Sequence, residues 1–143
     1  MLQRVQSIWL LLVAAFAAIT FRFPFYSGDR IVDTATNTAG HVDLVATTTI
    51  WMAILTALTG AVGFVNIFMF DNRKLQLRLC YFGIFLTLLL LAVYFIETTK
   101  FVPGKGNFAL SCVFHFAILA FYILAARGIW KDEKLIKSMD RLR

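Results

Sequence analysis

Charged side chains are scarce in this chain: Asp, Glu, Lys and Arg make up only 15% of its 143 residues, while 60% are hydrophobic. A soluble domain carries roughly 25% charged residues, because most of its surface faces water. The shortage of charge therefore excludes a water-soluble globular fold. It indicates a protein whose surface lies largely in lipid.

Side chains that usually carry chemistry are also few. The chain has two cysteines, Cys80 and Cys112, and two histidines, His41 and His115. The cysteines lie near opposite ends of apolar runs, on the order of 20 Å apart by helix rise, which is beyond disulfide reach. The sequence has no paired axial ligands for haem, no metal-ligand cluster and no Gly-rich phosphate loop. We therefore expect a protein that is not an enzyme and needs no cofactor or metal.

Four apolar runs account for most of the chain, and each is long enough to cross about 30 Å of hydrocarbon as a helix. They cover residues 5–21, 49–70, 79–96 and 108–126. None alternates with the period of two that a membrane β-strand needs, so helices must satisfy the backbone. The sequence predicts an all-α polytopic membrane protein, with residues 1–143 forming a single four-helix transmembrane bundle. None of the four runs contains a carboxylate, which argues against a proton-coupled small exporter.

The first apolar run allows a second interpretation. Arg4, the apolar stretch after it and the triplet Ala15, Phe16, Ala17 are typical of a cleaved secretory signal. The apolar run continues past this triplet to Phe21, which favours a span that is retained. We expect the segment to be the first transmembrane helix.

Lysine and arginine are distributed unevenly between the two sides of the predicted bundle. If the N-terminus is inside, ten of the 14 basic residues fall on the cytoplasmic side, while the acidic residues divide evenly. The outer basic residues are Arg22, Arg30, Lys100 and Lys105. Because basic residues are retained on the cytoplasmic side of short loops, we expect both termini to be cytoplasmic.

The segments that connect the runs differ in length and composition. The outer loop, residues 23–48, is rich in turn-forming residues and predicts either a short hairpin, pairing 30–32 with 42–45, or an irregular cap. Residues 71–78 are short and basic, as an antiparallel helical hairpin requires. Residues 98–107 contain Pro103, Gly104 and Gly106 and predict a turn.

The tail, residues 127–143, interleaves charges with apolar residues at helical spacing. We predict a cytoplasmic amphipathic helix, with Trp130 suited to the headgroup region. Its basic residues are candidates for binding anionic headgroups or a membrane-protein partner: Arg127, Lys131, Lys134, Lys137, Arg141 and Arg143. Nucleic-acid binding is not expected, because neither an aromatic stacking platform nor an RNA motif accompanies the charge.

Three segments carry a family resemblance: MLQRVQSIW at residues 1–9, NRKLQLRLC at 72–80 and KDEKLIKSMDRLR at 131–143. Together they resemble a bacterial integral-membrane family of unknown function, the domain of unknown function numbered four-two-nine-three. The closing segment is the most specific part of this resemblance, which spans nearly the whole chain. It implies a small four-span protein of the bacterial inner membrane and transfers no catalytic residue.

His115 is the only ionisable side chain well inside a predicted span, about seven residues from its outer end. A charge at that depth is costly, so we expect a neutral imidazole. Thr56, Thr59 and Thr87 at similar depth, with Ser111 one turn back on the same helix, complete a candidate intramembrane polar site. Two interpretations stay open, a histidine that ties the helices together and a proton relay or ligand contact.

A second polar level is predicted near the cytoplasmic ends of the helices. Its members are Gln6, Ser7, Asn66, Tyr81 and Tyr122. Hydrogen bonds among them are expected to fix helix register, with a binding site as the alternative. At the outer ends, Arg22 and Glu97 are expected to pair.

Two functions from different classes follow from these patterns. The first is an accessory or scaffold subunit of a membrane complex, which presents the basic tail to the cytoplasm. The alternative is a small transporter, or a lipid- or quinone-binding protein, with a cavity around His115.

Overall fold

The computed structural model describes residues 3–33, 38–69 and 72–140. Its helices are α1 (Gln3–Ile19), α2 (Ile50–Phe68), α3 (Arg73–Thr98) and α4 (Cys112–Asp140). Its strands are β1 (Tyr26–Asp33), β2 (Thr38–Leu44) and β3 (Phe101–Phe108). The chain is therefore mostly helical, but it is not all-α.

Three helices are long and apolar enough to cross a membrane, over Ile50–Phe68, Arg73–Thr98 and Cys112–Leu135. The first helix is shorter, with an apolar part at Val5–Ile19. Helices of this kind satisfy every backbone group internally, which lipid requires. The prediction of a helical membrane protein is confirmed at this level.

The helix boundaries differ most from the sequence prediction in α3 and α4, and α4 begins at Cys112, four residues later than predicted. Residues 73–78, predicted as a connection, form the first turns of α3, because Arg, Lys, Leu and Gln are all good helix formers. The fourth span and the tail form one unbroken helix of 29 residues. Its length is about 44 Å, so it extends beyond the hydrocarbon layer.

Each helix packs against two others: α1 and α3 both contact α2 and α4. The contact face of α2 is formed by Met52, Thr56, Thr59, Gly63 and Asn66, which are buried. Of the small residues in these helices, Ala17 is buried, whereas Ala18, Ala57 and Ala61 are exposed. Small size alone therefore does not decide which face of a helix is packed.

Tyr122 fills a space that two glycines leave open. A Cβ atom on Gly83 would lie 2.3 Å from the Tyr122 ring, and one on Gly63 would lie 3.2 Å from its hydroxyl oxygen. The ring is fully buried in an apolar cluster with residues of α1, α3 and α4. Gly83 therefore sets how closely α3 approaches α4, and Gly63, where an added Cβ atom would lie 2.7 Å from Val13, sets how closely α2 approaches α1.

The three strands form one antiparallel sheet in the order β2-β1-β3. Tyr26 on β1 pairs with Leu44 on β2 and with Phe108 on β3. Of the two alternatives for the outer loop, a hairpin is the one observed, but the predicted pairing of 30–32 with 42–45 is wrong: Arg30 pairs with Gly40, and Val42 pairs with Gly28. The turn predicted at 98–107 is wrong, because most of this segment is the third strand of the sheet.

Glycines make the pairing of β1 with β3 possible. A Cβ atom on Gly28 would lie 2.6 Å from the Gly106 Cα, and one on Gly106 would lie 2.3 Å from the Tyr26 hydroxyl. Gly104 has a φ of 79°, a conformation that favours glycine. These residues signalled a turn in the sequence, but Gly28 and Gly106 serve close strand approach.

The sheet covers one end of the helices, here called the sheet end. An apolar cluster joins the two layers, with Phe25, Leu44 and Phe101 on one side and Met52, Leu90 and Tyr94 on the other. The opposite end, where α1 and α3 begin and α4 finishes, is here called the tail end. Each end carries its own set of polar contacts.

Candidate functional site

His115 lies at the sheet end, in the first turn of α4. The helix begins at Cys112, so the imidazole is closer to the end of its helix than the sequence count of seven residues suggested. Its side chain is buried and sits edge-on to two rings, with centroids 4.5 Å from Tyr94 and 5.1 Å from Phe25. The imidazole is therefore enclosed by α3 and by the segment that enters β1.

Four buried polar atoms in this region have no hydrogen-bond partner among the described residues. They are both ring nitrogens of His115, the Tyr94 hydroxyl and the Thr56 hydroxyl. The Tyr94 hydroxyl faces Thr56 across the α2–α3 contact, and the imidazole faces the backbone of Ser111, just before its own helix, in both cases without the geometry of a hydrogen bond. Each buried polar group without a partner costs about 1–3 kcal/mol of stability. A ligand that hydrogen-bonds to these atoms would recover that cost.

The other residues predicted for this site are satisfied elsewhere. Thr59 donates to the Leu55 carbonyl at 2.8 Å, and Thr87 donates to the Gly83 carbonyl at 2.8 Å. Ser111 donates to the Pro24 carbonyl. The two threonine hydroxyls bond within their own helices, the Ser111 hydroxyl joins the start of α4 to the segment before β1, and no hydrogen bond links any of the three to the imidazole.

Tyr94 and Phe25 belong to the site but were not predicted from the sequence. The signal for Tyr94 was a single tyrosine in a leucine-rich run, four residues before the last residue of α3. Its depth could be matched to that of His115 only with the correct start of α4. Phe25 carried no signal, because its position depends on the sheet.

A separate ion-pair group lies at the same end. Glu97 is buried and contacts the Arg30 guanidinium at 3.7 Å and the Lys100 ammonium at 2.5 Å. The expected pairing of Glu97 with Arg22 is therefore wrong. The reason is the sheet, which brings Arg30 of β1 over the last turn of α3.

The predicted polar level near the tail end separates into distinct contacts. Asn66 donates to the Gln76 carbonyl at 3.2 Å and to the Cys80 sulfur at 3.1 Å, and Gln76 returns a bond to the Asn66 carbonyl at 3.3 Å. This group joins the end of α2 to the start of α3. Gln76 and Cys80 were not predicted as members of it.

Tyr122 makes a different contact, donating to the Thr59 carbonyl at 2.6 Å. Tyr81 is 56% exposed and takes no part in the interior, contrary to the prediction. Its position on α3 turns it towards the surface. Ser7 is half-buried on α1.

Gln6 forms the contact that holds the tail end of α4. Its side-chain amide donates to the buried carboxylate of Asp132. Its stem packs on Gly128, where a Cβ atom would lie 3.0 Å away. One face of the α4 extension is thus fixed against α1.

The other face of this extension carries an open groove of about 700 Å³. It is lined by Arg127, Gly128, Trp130, Lys131, Lys134, Leu135 and Ser138. The Lys134 ammonium lies 5.6 Å from the centroid of the Trp130 ring. Three of the predicted basic binding residues therefore share one surface.

The remaining basic residues of the tail are not placed by the structure. The side chain of Lys137 lies outside the described side chains, as do those of Ile136 and Met139, and Arg141 and Arg143 lie outside the described residues. No group of three or more His, Cys, Asp or Glu side chains within the described segments is placed to hold a metal ion.

Comparison with known proteins adds one match. A family model described as a domain of unknown function (DUF4293) matches residues 2–142. No curated protein and no solved structure matches the chain.

Proposed function

Because the chain belongs to the DUF4293 family, whose description assigns no activity, we propose a function from the geometry alone. The protein is a non-enzymatic accessory or scaffold subunit of a bacterial inner-membrane complex. It crosses the membrane four times as a helical bundle, with both termini in the cytoplasm. The basic face of the α4 extension is its contact surface.

The charge of the two ends supports this orientation. The tail end carries Arg73, Lys74 and Arg78 on α3 and further basic residues on α4. At the sheet end, Arg30 and Lys100 are paired with Glu97. The tail end holds more Lys and Arg residues than the sheet end, which favours a cytoplasmic tail end.

The observation that carries the proposal is the fixed but half-covered extension of α4. Its inner face is held by Ile129, which is buried, and by Asp132, whose carboxylate accepts from Gln6. Its outer face bears Trp130, 56% exposed, beside basic side chains. A surface that is already ordered loses little conformational freedom on binding, which favours a docking role.

The test compares the full chain with a truncation after Trp130. Both carry a tag at the same position and are purified from their own membrane in mild detergent. We expect a stoichiometric companion with the full chain and its loss from the truncated chain at equal expression, measured by quantitative mass spectrometry. An unchanged set of captured proteins contradicts the proposal.

A second candidate function is favoured by the polar atoms around His115 that have no partner. In this alternative the protein is a small transporter, or it binds a lipid or quinone whose polar group meets His115 and Tyr94. Replacing His115 by Leu separates the two candidates. A scaffold retains its expression and companions, whereas a transporter or binder loses activity or its bound molecule at unchanged expression.

A further inference from the structure

The groove on α4 continues into a second groove. The second has a volume of about 230 Å³ and is lined by Tyr81 and Ile84 of α3 and by Ile123, Ala126, Arg127 and Trp130 of α4. Arg127 and Trp130 line both grooves, so the two adjoin at these residues. One end of the combined surface is basic and the other is apolar.

We infer that this combined surface binds one anionic phospholipid. The phosphate lies over the basic groove, and one acyl chain lies in the trough between α3 and α4. The inference rests on the proposed function, because it places the tail end at the cytoplasmic leaflet. It deepens that function, because a lipid held on this surface becomes part of the face that the companion protein contacts.

The basic groove suits a phosphate group. Arg127, Lys131 and Lys134 are all exposed and lie on one face of α4 at intervals of four and three residues. Arginine offers two parallel donors to phosphate oxygens, and lysine adds a point charge. Asp132 does not neutralise this face, because it is buried and its carboxylate faces Gln6 on α1.

The trough suits an acyl chain. Ile84, Ile123 and Ala126 present only hydrocarbon to it, between two helices that contact each other. Tyr81 and Trp130, both 56% exposed, lie where the trough meets the basic groove. Amphipathic aromatic rings of this kind favour the boundary between hydrocarbon and headgroups.

The dimensions of the site agree with a lipid. Ile123 and Lys134 are separated by roughly 16 Å along the axis of α4. The headgroup layer on each side of a bilayer is roughly 6 Å thick, so this length covers a headgroup and the upper part of a chain. A free phosphate would leave the trough uncovered, and an amphiphile with an anionic end covers both parts.

The test titrates the full chain, purified in detergent, with phosphatidylglycerol and with phosphatidylcholine of identical chains. Bound lipid is counted by native mass spectrometry. We expect phosphatidylglycerol to bind at least tenfold more tightly. The triple variant Arg127→Gln, Lys131→Gln, Lys134→Gln should lose at least tenfold in affinity for phosphatidylglycerol, since each basic contact is worth on the order of fivefold.

The matched control is the triple variant Arg73→Gln, Lys74→Gln, Arg78→Gln, which removes the same charge from the start of α3. It should bind phosphatidylglycerol within twofold of the unmodified chain. Equal losses in both triple variants would mean diffuse attraction, which overturns the inference. If the first triple variant does not fold, judged by helical circular dichroism and gel filtration, Lys131→Gln and Lys134→Gln are measured singly, with a loss of about fivefold expected from each.

Two further arms separate a lipid from other ligands. Ile123→Trp, which fills the trough, should weaken phosphatidylglycerol binding at least fivefold. Soluble glycerophosphoglycerol should bind at least tenfold more weakly than the lipid, and equal binding would reveal a phosphate site and overturn the inference. A protein segment crosslinked to position 123, inside the trough, would also overturn it, although the proposed accessory function would stand if truncation still released that companion.

Discussion

At the residue scale, the environment of His115 differs from that of the other buried polar side chains. Gln76 and Tyr122 each donate a hydrogen bond to a backbone carbonyl of a neighbouring helix. The nitrogens of His115 and the hydroxyls of Tyr94 and Thr56 have no such partner among the described residues. This contrast makes the hydroxyl of Tyr94 the most informative single group to remove.

We predict that Tyr94→Phe leaves the free energy of unfolding unchanged or raises it by about 1 kcal/mol, because it removes a buried donor without changing shape. Thermal unfolding in detergent measures this. Tyr122→Phe is the matched control, and it should lower stability by about 0.6 kcal/mol, the average for a hydrogen bond between membrane helices. A loss above 1 kcal/mol in Tyr94→Phe would contradict this prediction and show that the hydroxyl has a hydrogen-bond partner, either Thr56 or a bound molecule.

The contact between Gly83 and the Tyr122 ring leaves no space for one additional carbon atom. We predict that Gly83→Ala lowers the free energy of unfolding by about 1–3 kcal/mol, because the added methyl group enters the space of a buried ring. Gly128→Ala is the control, since its methyl group meets only the flexible side chain of Gln6. If both variants unfold at the same temperature, the packing described for Tyr122 is wrong.

At the scale of elements, the helices and the sheet were not equally predictable. Runs of apolar residues predict the helices, because a helix forms its hydrogen bonds within the run. The thickness of the hydrocarbon layer sets the minimum number of residues in a spanning helix. The strand β3 forms its hydrogen bonds with β1, more than 70 residues away, and local composition does not contain that partner. Pro103, Gly104 and Gly106 therefore indicated a turn.

In the candidate site, too, features that depend on nearby residues were predictable and features that depend on distant segments were not. Thr56 was assigned to the region of His115 by counting helix turns, whereas Tyr94 was missed because the count began four residues too early on α4. The basic residues of the groove were found directly, since their spacing on one helix is local. The basic groove adjoins Tyr81 and Ile84 only because α3 packs against α4. A local sequence pattern does not predict that packing.

The ion pairs of Glu97 join the sheet to α3. We predict that Glu97→Gln lowers the free energy of unfolding by about 1–2 kcal/mol, below the cost of breaking a fully buried pair, because Arg30 and Lys100 are 31% and 48% exposed. Amide hydrogen exchange should become faster in β1 and β3. Arg22→Gln is the control and should change neither quantity; equal exchange in both variants would contradict the role of Glu97.

At the scale of the whole molecule, the proposed orientation can be tested directly. In a variant with both native cysteines replaced by alanine, Lys105→Cys at the sheet end should react with a membrane-impermeant maleimide in intact spheroplasts. Lys131→Cys should react only after the membrane is opened. Labelling in the opposite order would reject a cytoplasmic tail end, and with it the proposed function and the leaflet assigned to the lipid.

Because α4 is one unbroken helix, the number of residues between two of its side chains fixes the directions in which they point. Each residue of an α-helix advances the chain by roughly 100° of rotation. One alanine inserted after Ala120 would therefore swing Arg127 and Lys131 away from Tyr81 while every charge in the chain stayed the same. The neighbours of His115 and Lys131 therefore depend on the directions in which the two side chains point around the helix axis, as much as on the identity of the residues.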